Sequence, residues 1–485
     1  MTLEQTKTEE ILKWFEQINQ IPRCSKNEEA IRNWLINWAQ ENRFAVVTDK
    51  VQNLLIKVPA SPGYEKSPIV VLQGHLDMVC EKTSDSDHDF TTDPIKLIYQ
   101  GEWLTADKTT LGADNGIAIA IAMAYAKDKE VSHPPLELLF TVDEETGLVG
   151  ASAIEPGFFE GSLLINLDGE DEGHFTVGCA GGLNTDITVP IDLCDVPTGF
   201  QLMKINASGM TGGHSGIDIN AEKANAIKVL NQTLYALTTQ VDIRLVDISG
   251  GSVHNAIPRY AEAWVLVQQN KIETVETIVQ ATETRLKSAY QNTEPDLFIK
   301  IEAGEGHYDQ AMTLEKTAQI IDFIMVLPHG VSAMFTDMEQ VVETSNNLAT
   351  ICIEAGKLKV ITSQRSSRES RLEALTHRIE ACTRLVGGEA HSKSLYPAWQ
   401  PNNESKLLAK SVEIYERLFD KTPIVEVMHA GLECGIIGEK IPGMDMISIG
   451  PTIKYPHSPN EKLHIGSVGQ VWVFLRELLK ETTGI

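Results

Sequence analysis

The sequence predicts an α/β protein: an open mixed sheet flanked by helices, interrupted by a smaller α+β domain. Three observations lead there. First, the runs IVVLQGHLDMV (69–79), LELLFTVDEETG (136–147) and SLLINLDGEDEG (162–173) each read as a buried strand that ends in acids. Helical patterns lie between them, as in open sheets whose ligands bind beyond the carboxyl ends of the strands. Second, the character changes near the flexible join CAGG (179–182). Alternating strands follow at 184–190, 200–207 and 259–269, with amphipathic helices at about 220–239 and 271–290. That order suggests a ferredoxin-like unit. Third, from about 396 the earlier style returns with the helix NESKLLAKSVEIYERLF and the segments IVEVMHAGLECG and MDMISIGP. The expected organisation is therefore one split domain, 1–183 with 396–485, and an insert over 184–395.

The elements of the first part follow in order. Ile11, Phe15 and Ile18 recur at helical spacing, and Pro22 closes that helix. Ser25 with Glu28 reads as a capping box for a second helix, whose apolar face is Ile31, Trp34, Leu35 and Trp38. Residues 44–58 alternate as strands. NGIAIAIAMAYAKD (115–128) is a helix apolar nearly all round, which marks it as buried.

The 485 residues carry 67 Asp and Glu against 41 Lys and Arg, a formal charge of −26. So acidic a chain is not expected to seek nucleic acid or an anionic membrane surface. No apolar run reaches the roughly 18 residues of a membrane helix. The amino-terminal stretch MTLEQTKTEEILKWF lacks the pattern of a secretory signal. A cytoplasmic location is expected. The seven cysteines are widely spaced with no C-x-x-C, so reduced core thiols are expected rather than a disulfide framework or a thiolate metal site.

The candidate chemistry lies at the strand ends. His75 and Asp77 in GHLDM are two apart on an extended backbone and so point the same way. That suits an imidazole ligand and the carboxylate that holds its other nitrogen. Asp114 in LGADNG sits at a glycine-flanked turn, where a carboxylate either bridges cations or caps the following helix. Glu144 and Glu145 follow the strand LELLFTV and should diverge, one towards metal and one towards a reacting water. Asp168 ends SLLINLD; Glu170, Asp171 and Glu172 follow closely, and spacing alone does not choose among them. His457 lies in a proline-containing loop after the strand MISIG. Two histidines and three carboxylates suffice to hold two divalent ions.

The motifs GHLDMV, TTLGADNG, TVDEETG, INLDGEDEG, GGHSG, HNAIPR, HAGLECG and GPTI…PHSPNE occur in the order found in the M20-type zinc peptidases. The chain resembles that family, its dipeptidases most of all, from IPRCSKNEE at residue 21 to the last helix. The resemblance implies a zinc-peptidase-like α/β domain with an inserted lid. It implies two divalent ions, most simply Zn²⁺ with Mn²⁺ or Co²⁺ as substitutes. His75 and Asp168 would hold one, Glu145 and His457 the other, with Asp114 bridging and Asp77 orienting His75. Glu144 would be the general base toward a zinc-held water. From the insert, His214 in GGHSG would steady the oxyanion, across a dimer interface in some arrangements. Asn255 and Arg365 would hold substrate, Arg365 at the terminal carboxylate. Arg368 and Arg371 lie close enough in sequence that alignment alone singles out Arg365. The implied activity is hydrolysis of unblocked dipeptides, including those ending in histidine, by a homodimer. Two alternatives stay open at this point: a same-fold amidohydrolase of N-acyl amino acids, and a non-catalytic metal- or peptide-binding relative.

Overall fold

The computed structural model describes residues 3–482 apart from 305, 307, 337 and 339. Its contacts divide the chain into two compact units, one of Met1–Cys179, Trp399–Val427 and Leu432–Ile485, the other of Ala180–Ala398 and Met428–Gly431.

The first unit is built on an eight-stranded mixed sheet. Four central strands, Leu136–Thr141, Val70–His75, Leu163–Asn166 and Asp445–Ser448, run parallel in that spatial order. Their register pairs His75 with Thr141, Gln73 with Asn166, and Asn166 with Ser448, so the carboxyl ends finish at one edge. Every residue of Val70–His75 and Leu136–Thr141 is buried, which explains why these strands read as unbroken apolar runs instead of alternating. The antiparallel strands Ala45–Thr48 and Leu54–Val58 extend the sheet on one side.

The helix Ala113–Lys127 is buried from Ala113 to Ala126. It packs against the helix Leu3–Ile18, whose Ile11, Phe15 and Ile18 are fully buried, as their spacing required. The second helix, Glu29–Glu41, buries Ile31, Leu35 and Trp38, but the expected capping box is absent. Its cap position is Glu28, with no side-chain cap bond. Ser25 Oγ instead donates to Asp77 Oδ2 at 2.8 Å, and Glu28 Oε1 accepts from the N–H groups of Lys26 and Asp143. Each has a partner remote in sequence, Asp77 for Ser25 and Asp143 for Glu28, which a local motif cannot reveal.

A second correction concerns the thiols. Cys24 and Cys80, 56 positions apart, form a disulfide, whereas Cys179 and Cys434 are buried and free. The segment after the first helix runs beside the end of the strand Val70–His75, through a bridge between Cys24 and Met78, and so brings the two sulfurs together.

The second unit is α+β, with a nine-stranded sheet and helices Ala226–Thr238, Ile272–Ala289, Leu314–Val326 and Glu369–Leu385. Phe200–Ser208, the first helix, Ile243–Gly250, Ala261–Gln268, the second helix and Phe298–Ala303 make the β-α-β-β-α-β order of a ferredoxin-like fold. The long strands Val342–Glu354 and Lys357–Ser366 then extend the sheet to Gly181–Pro190 and Glu389–Tyr396. The first helix begins at Ala226, later than its periodicity suggested, because the Asn225 side chain caps it, accepting from the N–H groups of Ile227 and Lys228. Among the described residues no helix is long and apolar enough to cross a membrane.

Candidate metal centre and active site

At the aligned strand ends of the first unit, five side chains converge. His75 ends its strand, with Nε2 3.0 Å from Asp114 Oδ1 and 3.5 Å from Asp168 Oδ1. Across the same aspartate, His457 Nε2 lies 3.0 Å from Asp114 Oδ2 and 3.0 Å from Glu145 Oε2. Asp114 thus faces one imidazole with each oxygen. It stands in the non-helical first turn of Ala113–Lys127, and its two oxygens face the histidines instead of capping the helix. Of the three acids that follow Asp168, two turn away: Asp171 pairs with Lys454 and Glu172 accepts from Tyr415 at 2.8 Å. Glu170 stays beside the centre, where burial and the charges of Asp114 and Asp168 push its carboxyl up to about 8. Asp168 is the acid that lies 3.5 Å from His75 Nε2.

Asp77 does more than meet His75, whose Nδ1 lies 3.3 Å from its Oδ1. The N–H groups of Glu144 and Glu145 donate to its two oxygens at 3.0 and 3.2 Å. One fully buried carboxylate therefore lies against the imidazole and accepts from the backbone of the glutamate pair. Although burial opposes its ionisation, His75 and these N–H donors hold its carboxyl down at about 2.

The donor set fits a pair of divalent cations. Three carboxylates and two neutral imidazoles would concentrate negative charge in a largely buried space. Burial disfavours charge on His457, yet Asp114 and Glu145 outweigh it and push that imidazole up to about 11. Asp114 is driven well below the usual carboxylate range by the two histidines, against its burial. Glu145 Oε1 is buried with no hydrogen-bond partner, as a coordinating oxygen would be. Glu144, beside this cluster, is pushed well above its ordinary value by burial and by Asp168, Glu145 and Glu433. His, Asp and Glu side chains with no thiolate suit zinc, manganese or cobalt alike.

Beneath the centre lies a buried polar layer that the sequence did not signal. Glu433 accepts from Thr141 Oγ1 at 2.7 Å and from Gln73, Gln73 accepts from Asn166, and Asn166 Oδ1 accepts from Ser448 and from the Asp168 N–H. Gln73 and Asn166 each lie two residues before a candidate ligand, His75 and Asp168, and Glu433 reaches Gln73 from the start of the helix Glu433–Lys440, so the layer props up the strand ends.

The second unit gathers the three remaining candidates on one patch. His214 pairs with Ala256 in a short ribbon, next to Asn255. The Ser215 N–H donates to the Asn255 carbonyl at 2.8 Å, and Arg365 reaches Ser215 Oγ at 3.5 Å and the Tyr396 hydroxyl. His214 Nδ1 accepts from the N–H of Ile217 at 3.2 Å. Arg365 is buried on its strand, whereas Arg368 and Arg371 both bind the Glu343 carboxylate.

Residues 205–294 match a family described as a peptidase dimerisation domain. Over 468 residues, 96% of each chain, the sequence is 40% identical to the cytosol non-specific dipeptidase of Escherichia coli. The crystal structure of the aminoacylhistidine dipeptidase from Vibrio alginolyticus superposes with a TM-score of 0.86 at 38% identity, covering 97% of this chain and 96% of that one. An aminopeptidase from Bacillus cereus shares the fold at TM-score 0.58 and 14% identity, covering 98% of each chain.

Proposed function

The chain belongs to the M20 peptidases, and we propose that it is a metal-dependent dipeptidase that cleaves unblocked dipeptides, those ending in histidine among them. The observation that carries this reading is the centre itself: two imidazoles on opposite oxygens of Asp114, with Glu144 beside them. His75 and Asp168 would hold one cation, Glu145 and His457 the other, and Asp114 both. Zinc is the proposed metal, with manganese or cobalt able to replace it. Bound there, the cations would acidify water and polarise the scissile carbonyl.

The remaining steps fall to the protein. Glu144 Oε takes a proton from the attacking water and delivers it to the departing amine nitrogen, the two halves of general base and general acid work. Its depth of burial favours holding that proton between the steps. Asp77 keeps His75 in the tautomer that presents Nε2 and holds the Glu144 backbone still. The second unit is proposed to act as lid and dimerisation domain. Arg365, free of the Glu343 pairing that occupies its neighbours, would bind the terminal carboxylate with its planar fork, Asn255 would hold the peptide, and His214 would donate to the oxyanion. A homodimer in the cytoplasm is the expected setting.

The test is turnover by the purified protein, supplied with zinc, manganese or cobalt, on Ala-His-type dipeptides and on N-acetyl amino acids. Hydrolysis of the dipeptides with the blocked compounds untouched is expected. Preference for the acylated compounds would replace the dipeptidase reading with amidohydrolysis, and no hydrolysis of either with any of the metals would refute both.

A further inference from the structure

The turn that carries Asp114 is held from two sides by buried charges outside the donor set. The Glu461 carboxylate accepts four consecutive N–H groups: Oε2 from Leu111 at 2.8 Å and Gly112 at 3.0 Å, Oε1 from Ala113 at 2.8 Å and Asp114 at 3.3 Å. From the other side, Arg23 Nη1 donates to the carbonyls of Leu76 at 3.1 Å and Asp77 at 2.8 Å, and Nη2 donates to the Gly112 carbonyl. Arg23 is 1% exposed and Glu461 is 2% exposed. The glycines of LGADNG are cut to this guanidinium: a Cβ at Gly112 or Gly116 would stand 2.6 or 2.5 Å from Arg23 Nη2.

The placement matters because each charge joins two ligand-bearing segments. Glu461 is four residues beyond His457 in the same loop, so its four bonds tie the backbone of one histidine to the backbone of Asp114. Arg23 ties the same turn to the strand end that carries His75 and Asp77. A carboxylate that accepts four amides, and a planar fork that spans three carbonyls, are directional constraints that neither a neutral amide nor a lysine reproduces. Apolar packing could keep the loop in place, but it would not fix peptide orientations to this degree.

We propose that Arg23 and Glu461 are positioning residues that set the spacing of His75, Asp114 and His457 for a pair of cations, so that cation affinity and turnover depend on them although neither touches metal or substrate. This rests on the metal-centre reading above. The experiment titrates metal-free protein with Co²⁺, following the visible spectrum and the number of ions bound, for the parent, Glu461→Gln and Arg23→Lys. Melting of the metal-free proteins and kcat and KM on an Ala-His-type dipeptide are measured alongside. The parent should take up two ions. Each variant should bind the pair roughly tenfold to a hundredfold more weakly, with an altered Co²⁺ spectrum, lower kcat and little change in KM, and excess metal should restore part of the activity. Should one variant fail to fold, the other carries the same comparison. Parent-like affinity and spectrum in a folded variant would overturn the inference while leaving the metal centre intact. A parent that binds no ions would remove the metal-centre reading, and the inference with it.

Discussion

Glu144 and Asp77 show how differently two carboxylates of one site are used. Burial and the neighbouring acids push the Glu144 carboxyl well above its ordinary value, while His75 and the N–H groups of the glutamate pair hold that of Asp77 down. Glu144→Ala should therefore leave the ligands intact and remove the proton shuttle. We expect kcat to fall by about 10² to 10⁴, with bound metal unchanged by elemental assay; activity within a few-fold of the parent would exclude it as the base. Asp77→Asn is nearly the same shape but gives up an acceptor shared by His75 and two amides. It should weaken metal binding by roughly tenfold to a hundredfold, read by competition with a chelator, and an unchanged affinity would confine Asp77 to a packing role. The candidate ligands were legible as a group, because acids and histidines at the tips of apolar strands stand out against their surroundings, but their division between two cations came only from the family resemblance. Ser25 and Glu28 were not, since their spacing satisfies a local rule while their real partners, Asp77 and Asp143, are far along the chain. Arg23 and Glu461 escaped for the same reason: nothing near either residue announces the turn at 111–114 that they grip.

Among the elements, the parallel strands and the helix Ala113–Lys127 could be read directly, because a run buried on every side has an unmistakable composition. The extra strands and helices beyond residue 303 were less legible: the strand Glu389–Tyr396 is largely exposed and the helix Glu369–Leu385 buries only a few of its residues. The disulfide is an element-level feature too, since it staples the segment after the first helix to the end of the strand Val70–His75. With a sequence separation of 56, closing that loop in the unfolded chain is worth about 4 kcal/mol on the chain-entropy account. Removing it, by reductant or by a Cys24→Ser/Cys80→Ser double substitution, should lower the melting temperature of the metal-free protein by several degrees. Reductant should then have no further effect on the double variant. Equal melting of oxidised parent and variant would show that Ser25 and Arg23 already hold this segment without help. In a reducing compartment the same pair would rest as thiols, and the hydrogen bonds of Arg23 and Ser25 to the Asp77 segment would remain as its anchor.

At the scale of the whole molecule, the net charge of −26 and the chemistry separate cleanly. The carboxylates of the centre are a small, buried subset, and most of the rest lie on solvated faces where each contributes little to stability. Each unit has its own extensive apolar core, so the second must hold itself together against acid without the metal centre. One acid-sensitive point, like His329, is His429, 8% exposed, with Nε2 2.8 Å from Ser345 Oγ. Burial, with the Arg365 charge adding to it, pushes this imidazole down to about 3. In the unfolded chain the same ring titrates near 6.5. Above that pH both states hold the ring neutral and its contribution is complete. As pH falls from about 6.5 towards 3, only the unfolded state gains the proton, so stability drains away at up to about 1.4 kcal/mol per pH unit. His429→Gln keeps a polar side chain but has no proton to gain. Urea unfolding of parent and variant between pH 7 and 4 should give free energies that converge as the pH is lowered, the parent losing more. Parallel curves would mean that the ring can be protonated in place, and that Ser345 and Arg365 move to accommodate its charge.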